Sequence, residues 1–199
     1  MPDYTYEQNA LQTYKNICGV DEAGRGPLAG PVYAAAVILP IGANIPGLDD
    51  SKKLSKIKRN ALFEIITKLA VSYSIAIATV QEIEEINILN AAMLAMERAV
   101  DGLSVTADYA LIDGNKTPAG LLIPCEAVIK GDQKSMSIAA ASVLAKVSRD
   151  RIMDEYDAKY PVYGFAKHSG YGTKLHMEMI KKHGICEIHR PSFLRKLIG

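Results

Sequence analysis

The order of apolar segments along the chain is the feature that most restricts its fold. Stretches rich in β-branched or small apolar residues predict short strands, at residues 17–20, 32–39, 71–80, 109–112 and 127–129. Apolar residues at helical spacing predict helices, at residues 56–69, 81–100, 136–160 and about 173–182, the last of these being the last helix of the chain. Ser55 and Ser135 stand where they can begin the first and third of these helices. The Gly/Pro-rich turn between the first two strands suggests a hairpin-like pair. Strands come first, helices and strands then alternate, and helices close the chain. This order predicts an α/β fold with a mixed sheet.

The size and composition of the chain predict one domain. Its 199 residues are a usual length for one domain, and its apolar fraction of 49% can fill a core, which excludes a disordered chain. Three cysteines are too few for a disulfide framework, and the first residues lack the pattern of a signal peptide. The uncharged stretch 26–48 contains four prolines and four glycines, too many for a membrane span. We therefore expect a cytoplasmic protein without membrane contact, and a monomer.

The net charge of +1 excludes a uniformly basic nucleic-acid binder, but the charges are unevenly distributed. Residues 51–60 carry five bases and no acid, and residues 166–199 carry seven bases and two acids. Residues 82–113 carry seven acids and one base. The two basic segments could contact a polyanion. Either one alone is as well explained as a solvated helix face.

Four acidic residues follow predicted strands closely. Asp21 and Glu22 come directly after the first strand, Asp113 ends the strand YALI, and Asp132 follows AVIK by one residue. A buried group of carboxylates is costly without counter-charge, and hard divalent cations such as Mg²⁺ or Mn²⁺ remove that cost. Two such ions can assist phosphodiester hydrolysis. A single acid beside a glycine is usually a turn residue. The spacing alone therefore does not show that the four acids lie close together in space.

Other motifs in the chain are weaker. Gly24-x-Gly26-x-x-Ala29 has the spacing of a dinucleotide fingerprint, but acids precede it and Pro27 stands where a helix should run. No phosphate-binding P-loop motif and no G-x-S-x-G motif occur. His183, Cys186 and His189 have atypical zinc spacing without an evident fourth ligand, so we expect them to be surface residues.

Six segments of the chain closely resemble bacterial ribonuclease HII. They occur in the family's order and cover nearly all of residues 17–193: GVDEAGRGPLAGPVYAAAVIL (19–39), DDSKKLS (49–55), LNAAMLAMERAV (89–100), LIDGN (111–115), KGDQKSMSIAAASVLAKVSRDRIM (130–153) and YGFAKHSGYGT (163–173). The resemblance implies an RNase H-like fold, with a central mixed sheet flanked by helices. It also implies a single catalytic domain, 1–199, whose residues from about 160 to 199 form a helical appendage.

The resemblance also assigns roles to individual residues. Asp21, Glu22, Asp113 and Asp132, which the strand ends had already selected, match the family's catalytic, metal-binding carboxylates. The substrate-binding residues that it implies are Gly24, Arg25 and Gly26, which sense the ribose 2′-hydroxyl, Tyr171, which stacks beneath the next sugar, and Ser51, Lys52 and Lys53, whose lysines hold phosphates. A solvated position is nearly as well supported for Lys53. Tyr163, close to Tyr171 in sequence, is expected in the core.

The activity that the resemblance implies is endonucleolytic. The expected substrates are RNA–DNA hybrids and duplex DNA with a single embedded ribonucleotide, in roles such as ribonucleotide removal and RNA primer degradation. Two Mn²⁺ or Mg²⁺ ions would assist cleavage 5′ to the ribonucleotide, giving 3′-hydroxyl and 5′-phosphate ends. The alternatives are another nuclease of the same fold, a phosphatase, or a hybrid-binding protein without catalysis.

Overall fold

A five-stranded mixed sheet with helices on both faces forms the body of the protein. The computed structural model describes residues 1–198, with side chains through Arg195. The strands are β1 (Ile17–Ala23), β2 (Val32–Ile38), β3 (Ser72–Ala78), β4 (Tyr109–Asp113) and β5 (Cys125–Val128). The helices are α1 (Thr5–Ala10), α2 (Lys56–Leu69), α3 (Val80–Asp101), α4 (Met136–Lys159), α5 (Phe165–His168), α6 (Lys174–His183) and α7 (Pro191–Ile198). The α/β architecture predicted from the sequence is confirmed.

The sheet combines an antiparallel half with a parallel half. Its strand order is β3-β2-β1-β4-β5, in which β1, β2 and β3 are joined by antiparallel pairing. The hairpin-like pairing predicted for the first two strands is therefore confirmed. Strands β1, β4 and β5 run parallel to one another, so their carboxyl ends meet at one edge of the sheet.

Alternating side chains of the interior strand β2 fill two separate cores. Ala34, Ala36 and Ile38 pack with buried residues of α3, such as Ala95 and Met96. Ala35 and Val37 on the opposite face pack with α4 and with Leu62 and Ile66 of α2. The run VYAAAVIL is apolar at every position because both faces of this strand are covered.

Small residues allow α4 to lie directly on the sheet. Its first ten residues are all buried, and a methyl group added to Gly19 of β1 would lie 2.2 Å from backbone atoms of Ser137 and Ile138. This close approach brings the beginning of α4, just after the turn that carries Asp132, against the strand that carries Asp21. The Ser135 hydroxyl accepts from the Ile138 amide and fixes the helix start.

The predicted helix and strand boundaries agree closely with the structure in most places. Helix α2 has both of its predicted ends, and Ser55 caps it as expected. Helix α3 is interrupted at Asn87, whose backbone has φ 66 and whose Oδ1 accepts from the amides of Leu89 and Asn90. This interruption was not expected, because the apolar spacing continues on both sides of it.

Three helices and one strand end differ from prediction. Strand β1 continues to Ala23, so Asp21 and Glu22 lie within the strand rather than after it. Helices α1, α5 and α7 were not predicted, and the expectation that the segment around 173–182 is the last helix was wrong. These helices are four to eight residues long, too short for apolar spacing to identify them.

The chain after α4 forms a smaller apolar cluster of its own. Tyr163, Phe165, Ile180 and Ile188 are buried in it with Met153 from the end of α4. Tyr163 is therefore a core residue, as predicted. No helix among residues 1–198 is long and apolar enough to cross a membrane.

Replacing Gly19 by alanine should destabilise the protein by about 3 kcal/mol or more, the upper end of the usual cost of overpacking, because the added methyl overlaps the backbone of α4. Gly42→Ala is the matched control. Its added methyl meets no atom within 4 Å, so it should cost only about 1–2 kcal/mol for the left-handed backbone at φ +80. Thermal unfolding of both variants measures the difference. An equal or smaller loss in Gly19→Ala would contradict the close packing of β1 on α4.

Candidate active site

Carboxylates gather where the three parallel strands end. The last pair of the β1–β4 register is Val20 with Ile112, so Asp21 and Asp113 are the next residues of adjacent strands. Asp113 in turn pairs with Val128 at the end of β5. Parallel pairing therefore brings together acids that lie more than ninety residues apart in sequence.

A tight turn after β5 adds the next carboxylate. Lys130 has a left-handed backbone with φ 56, and Gly131–Gln133 form one turn of 3-10 helix that contains Asp132. The Oδ1 atom of Asp113 accepts from the amides of Gly131 at 2.6 Å and Asp132 at 3.3 Å. The Asp113 side chain thus holds the turn that positions Asp132.

Burial and mutual repulsion disfavour the charged forms of these groups. Burial, followed by the charges of Glu22 and Asp113, raises the pKa of Asp21 well above its usual value. Burial raises the pKa of Asp132 to about 6, with further contributions from Asp113 and from Asp50. Burial also raises the pKa of Glu22, although Arg25, whose Nη1 lies 3.4 Å from Glu22 Oε1, opposes the shift.

Lys52 is the main positive charge facing this group. Burial alone would lower its pKa, but Asp21, Asp132 and Asp50 more than compensate, and the net pKa is raised. Asp50 caps the short helical turn Ser51–Lys53 by accepting from the Lys52 amide at 2.9 Å. The sequence DSKK therefore presents Lys52 to the carboxylates through a local cap.

Two buried arginines hold the glycine-rich loop beside the carboxylates. Arg190 donates to the carbonyl oxygens of Gly24, Arg25, Pro27 and Gly30 at 2.6–3.0 Å. No carboxylate accepts from it among the hydrogen bonds of the described residues, and burial lowers its pKa to about 9. The carbonyls are bound on the inner side of the loop, so the loop shape is set by the C-terminal segment.

The second arginine, Arg149 of α4, binds the other half of the same loop. It donates to the carbonyls of Ala29 and Pro31, and also to that of Ser169, two residues before Tyr171. Because a peptide C=O and its N–H point in opposite directions, carbonyls held by Arg190 direct the amides of Arg25 and Gly26 away from that guanidinium.

A left-handed turn places Tyr171 at the other side of the loop. Ser169 and Gly170 have φ 47 and φ 80, and a methyl group on Gly170 would come within 2.6 Å of the Ala29 carbonyl oxygen. The Tyr171 ring lies 3.6 Å from the position that a Gly26 side chain would take, and 46% of the residue is exposed. The ring and the loop thus form one continuous surface.

An open cavity of about 500 Å³ joins these features. Its lining contains most of the residues that the resemblance assigned to the site: Asp21, Glu22, Gly24, Arg25, Gly26, Ser51, Lys52 and Tyr171. Asp113 and Asp132 lie beside it without lining it. Lys53 is also outside the lining and pairs with Asp49 at 3.2 Å, as a solvated lysine would.

Four lining residues were not assigned to the site from the sequence: Ala23, which lies between two residues that were, and Ile88, Lys146 and Phe193. Lys146 is half-buried on α4, where it donates to Asp150 Oδ1 at 2.7 Å. It is the first charged residue of an otherwise buried helical segment, and that contrast could have identified it. Ile88 follows the Asn87 interruption and Phe193 belongs to an unpredicted helix, so no local signal marked either.

Histidines of the C-terminal segment are less exposed than the sequence suggested. His183 is exposed, as expected for a surface residue. The same expectation was wrong for His189, which is 2% exposed, and Cys186 is only partly exposed. His189 was misjudged because its burial comes from Tyr163 and Phe165, which are distant in sequence.

The chemistry of the carboxylate group fits hard divalent cations. Buried carboxylates repel one another when they are charged, and this repulsion favours their protonation. A divalent cation shared between them would stabilise the charged forms. Within the described part of the chain, no three His, Cys, Asp or Glu side chains already stand close enough together to enclose an ion. Arg25 opposes the raised pKa of Glu22, and Lys52 opposes the raised pKa values of Asp21 and Asp132.

The comparison with known proteins identifies the family. A family model described as Ribonuclease HII matches residues 18–196. The chain belongs to the ribonuclease HII family. The ribonuclease HII of Caldicellulosiruptor saccharolyticus is 53% identical over 196 residues, which cover 98% of this chain and 95% of that protein. The ribonuclease HII of Endomicrobium trichonymphae is 58% identical over 177 residues, covering 89% and 84%.

A solved member has the same fold. The crystal structure of ribonuclease H2 from Pyrococcus horikoshii matches 92% of this chain and 97% of its own, with a TM-score of 0.75 and 29% identity. The resemblance to ribonuclease HII and the RNase H-like fold are therefore confirmed.

Asp21→Asn should raise the melting temperature of the metal-free protein at pH 8 by a few degrees, about 1 kcal/mol, because it removes one repelling charge. Asp21, Glu22 and Asp132 have raised pKa values, so their charged forms lower the stability of the folded protein as pH rises through about 6, the pKa of Asp132. The gain should therefore shrink as pH falls toward 4. Thermal unfolding in a chelating buffer measures it. A gain of the same size at both pH values would contradict the repulsion.

Arg190→Lys should destabilise the protein by about 2–4 kcal/mol and expose the loop to protease, because lysine cannot replace a guanidinium bound to four carbonyls. Arg195→Lys, an exposed change on α7, is the control and should have no effect. Thermal unfolding and limited proteolysis mapped by mass spectrometry are the measurements. Unchanged cleavage within residues 24–30 would argue against the loop being held by Arg190.

Proposed function

We propose that this chain is an endoribonuclease that cleaves the RNA strand of RNA–DNA hybrids and single ribonucleotides embedded in duplex DNA. The observation that carries the proposal is one cavity in which a carboxylate edge meets a constrained glycine loop and an exposed tyrosine. The carboxylates are suited to hydrolysis of a phosphodiester. The glycine loop and the tyrosine are suited to recognising the sugar beside it.

The glycine loop is suited to sensing a 2′-hydroxyl through its backbone. Arg190 holds the carbonyls of Gly24 and Arg25, which directs the amides of Arg25 and Gly26 outward as donors. The absence of a side chain at Gly26 lets a sugar approach these amides closely. The 2′-hydroxyl is the group by which a protein distinguishes RNA from DNA at a given position.

Tyr171 completes the recognition of the junction. Its ring stands against Gly26, so it can stack beneath the sugar that follows the ribonucleotide. Lys52 lines the same cavity and is placed to bind a phosphate, and Lys146 also lines it but is paired with Asp150 at 2.7 Å. Ser51 contributes structurally too, since its Oγ accepts from Ser142 of α4 at 2.7 Å. Lys53 remains a weaker candidate, paired with Asp49.

Asp21, Glu22, Asp113 and Asp132 are the proposed ligands of two Mg²⁺ or Mn²⁺ ions. When bound, divalent cations neutralise these carboxylates and lower the pKa of water for attack on the phosphate. The chain itself holds the ligands in register through parallel strands, and holds the scissile phosphate through Lys52. The 2′-hydroxyl is bound rather than used as nucleophile, so the products carry 3′-hydroxyl and 5′-phosphate ends.

The whole chain is proposed to work as one catalytic domain, 1–199, with residues from about 160 to 199 as a helical appendage. This is supported by Arg190 and Tyr171, which belong to the appendage and yet contact the loop that follows β1. The cytoplasmic location and the monomeric state stay predictions.

Incubation with a duplex that carries one ribonucleotide should give a single cut on its 5′ side in Mg²⁺ or Mn²⁺ and no cut in chelator. Asp132→Asn should reduce the cleavage to background while the protein stays folded. Gel mapping at nucleotide resolution, with end labels that distinguish a 3′-hydroxyl from a cyclic phosphate, is the measurement. Equal cutting of plain duplex DNA, or turnover of a phosphomonoester alone, would instead support the other nuclease or the phosphatase.

Tyr171→Ala should lower kcat/KM on the single-ribonucleotide duplex by roughly 10- to 100-fold, the usual value of one aromatic stacking contact. Binding of the duplex should be largely kept, because the lysines remain. Tyr73→Ala, a similarly exposed tyrosine on β3, is the control. If both variants cut at the wild-type rate, Tyr171 does not contact the substrate.

A further inference from the structure

Three histidines are packed together beneath Tyr171. His168, His176 and His189 are 9%, 0% and 2% exposed, and all three rings contact Phe165. The His168 and His176 rings are stacked with centroids 4.5 Å apart. None of the three reaches the carboxylates, so the proposed hydrolysis does not account for them.

Hydrogen-bond partners determine the tautomers of two of these rings. The Nδ1 atom of His189 accepts from the Cys186 amide at 2.9 Å, so the ring proton of neutral His189 lies on Nε2. That Nε2–H donates to Nε2 of His176, 3.1 Å away. The proton of His176 must then lie on Nδ1, and Nδ1–H donates to the Tyr171 carbonyl at 2.9 Å.

The Cys186 amide at one end of this series of hydrogen bonds and the Tyr171 carbonyl at the other end independently require the same direction of donation. An amide can only donate to His189, and a carbonyl can only accept from His176, so a single direction of donation satisfies every atom. Adding a proton to either ring would place two N–H groups in the 3.1 Å gap or remove the acceptor for Cys186. All three hydrogen bonds are therefore present only when both rings are neutral. Burial lowers the pKa of His176 to about 4 and also lowers that of His189, which keeps both neutral near pH 7.

The hydrogen bonds through His176 and His189 connect the two backbone segments that form the proposed sugar-binding surface. At one end, the Tyr171 carbonyl is held by His176, while the neighbouring Gly170 amide donates to His168 Nδ1 at 3.2 Å. At the other end, His189 forms a backbone bridge with Ala29 in the loop that Arg149 and Arg190 hold. The two histidine side chains thus tie the Tyr171 carbonyl to the glycine loop, beside a direct backbone hydrogen bond from the Leu28 amide to the Gly170 carbonyl at 2.8 Å.

We propose that His176 and His189 form a directional hydrogen-bond relay that positions Tyr171 against the Gly24–Gly26 loop and thereby sets the preference for a single ribonucleotide over a continuous hybrid. They are positioning residues and do not touch the substrate. The inference rests on the proposed role of Tyr171. A continuous hybrid offers many equivalent sugars, so its cleavage depends less on the exact position of one ring.

Few charges surround the relay within the described part of the chain. The titratable or charged groups near the two rings are His168 on His176, Tyr163 and Cys186 on His189, Arg190 with its guanidinium bound to loop carbonyls, and exposed Glu187 paired with Lys159. The ratio of kcat/KM for the single-ribonucleotide duplex to that for a continuous hybrid should therefore stay constant from pH 6 to 9. A change in this ratio centred near the ordinary histidine pKa of about 6.5 would overturn the neutral relay.

Substitutions at His176 separate hydrogen bonding from volume. His176→Phe keeps an aromatic ring but leaves the Tyr171 carbonyl and His189 Nε2 without their hydrogen-bond partner. It should lower the ratio of kcat/KM for the single-ribonucleotide duplex to that for a continuous hybrid about tenfold, the effect of one lost buried hydrogen bond. His176→Asn should restore part of it, because its amide lies near the Nδ1 position and can donate to the Tyr171 carbonyl. His176→Gln is larger but places its amide toward His189, so it should restore less.

His183→Phe, at the exposed end of the same helix, is the control and should leave the ratio unchanged. If the larger glutamine restored more activity than asparagine, the role of His176 would be only to fill space. Equal losses on both substrates would likewise overturn the inference. Loss of all cleavage in the wild-type protein would instead count against the proposed function itself.

Nitrogen-15 NMR of the wild-type histidines tests the relay even if the variants do not fold. The expected result is a proton on Nδ1 of His176 and on Nε2 of His189, with no change between pH 6 and 8. This readout is independent of nuclease activity. A proton on Nε2 of His176, or a protonated ring at neutral pH, would contradict the relay directly.

Discussion

The parallel alignment of β1, β4 and β5 is the constraint on which the site depends. Parallel strands end at one edge, so the acids at their ends are forced together whatever their separation in sequence. Burial at this edge, followed by the repulsion between the acids, raises the pKa values of Asp21 and Asp132. Holding these carboxylates together therefore lowers the stability of the fold, and a divalent cation can remove their repulsion. Local strain of this kind is common at functional sites.

The C-terminal segment supplies the second half of the site by a different kind of interaction. Arg149 and Arg190 are buried with backbone carbonyls as partners, and together they bind several carbonyls of the loop after β1. Removing such a guanidinium would leave several carbonyls unpaired at once. Charge here shapes a loop, whereas at the strand ends its proposed role is to bind divalent ions.

Much of the architecture was accessible from local patterns. Helix α2 and the start of α4 were predicted because Ser55 and Ser135 stand before apolar residues at helical spacing. The interruption at Asn87, the short helix α7 and the burial of His189 were not. The Asn87 interruption is made by local hydrogen bonds that leave the apolar spacing unbroken, so the spacing did not reveal it. Helix α7 and the burial of His189 depend on contacts with residues far away in the chain, which no local propensity records.

The sequence by itself determined which residues could form the site. Its motifs identified the ribonuclease HII family, and acids placed at strand ends selected Asp21, Glu22, Asp113 and Asp132 without knowledge of their neighbours. Only the tertiary structure decided that Lys146 and Phe193 share the cavity, and that Lys53 stays outside it. Only the tertiary structure could join His176 to His189 and Tyr171. Hydrogen bonds and side-chain burial depend on distances in space, and these are fixed when the strands pair and the helices pack.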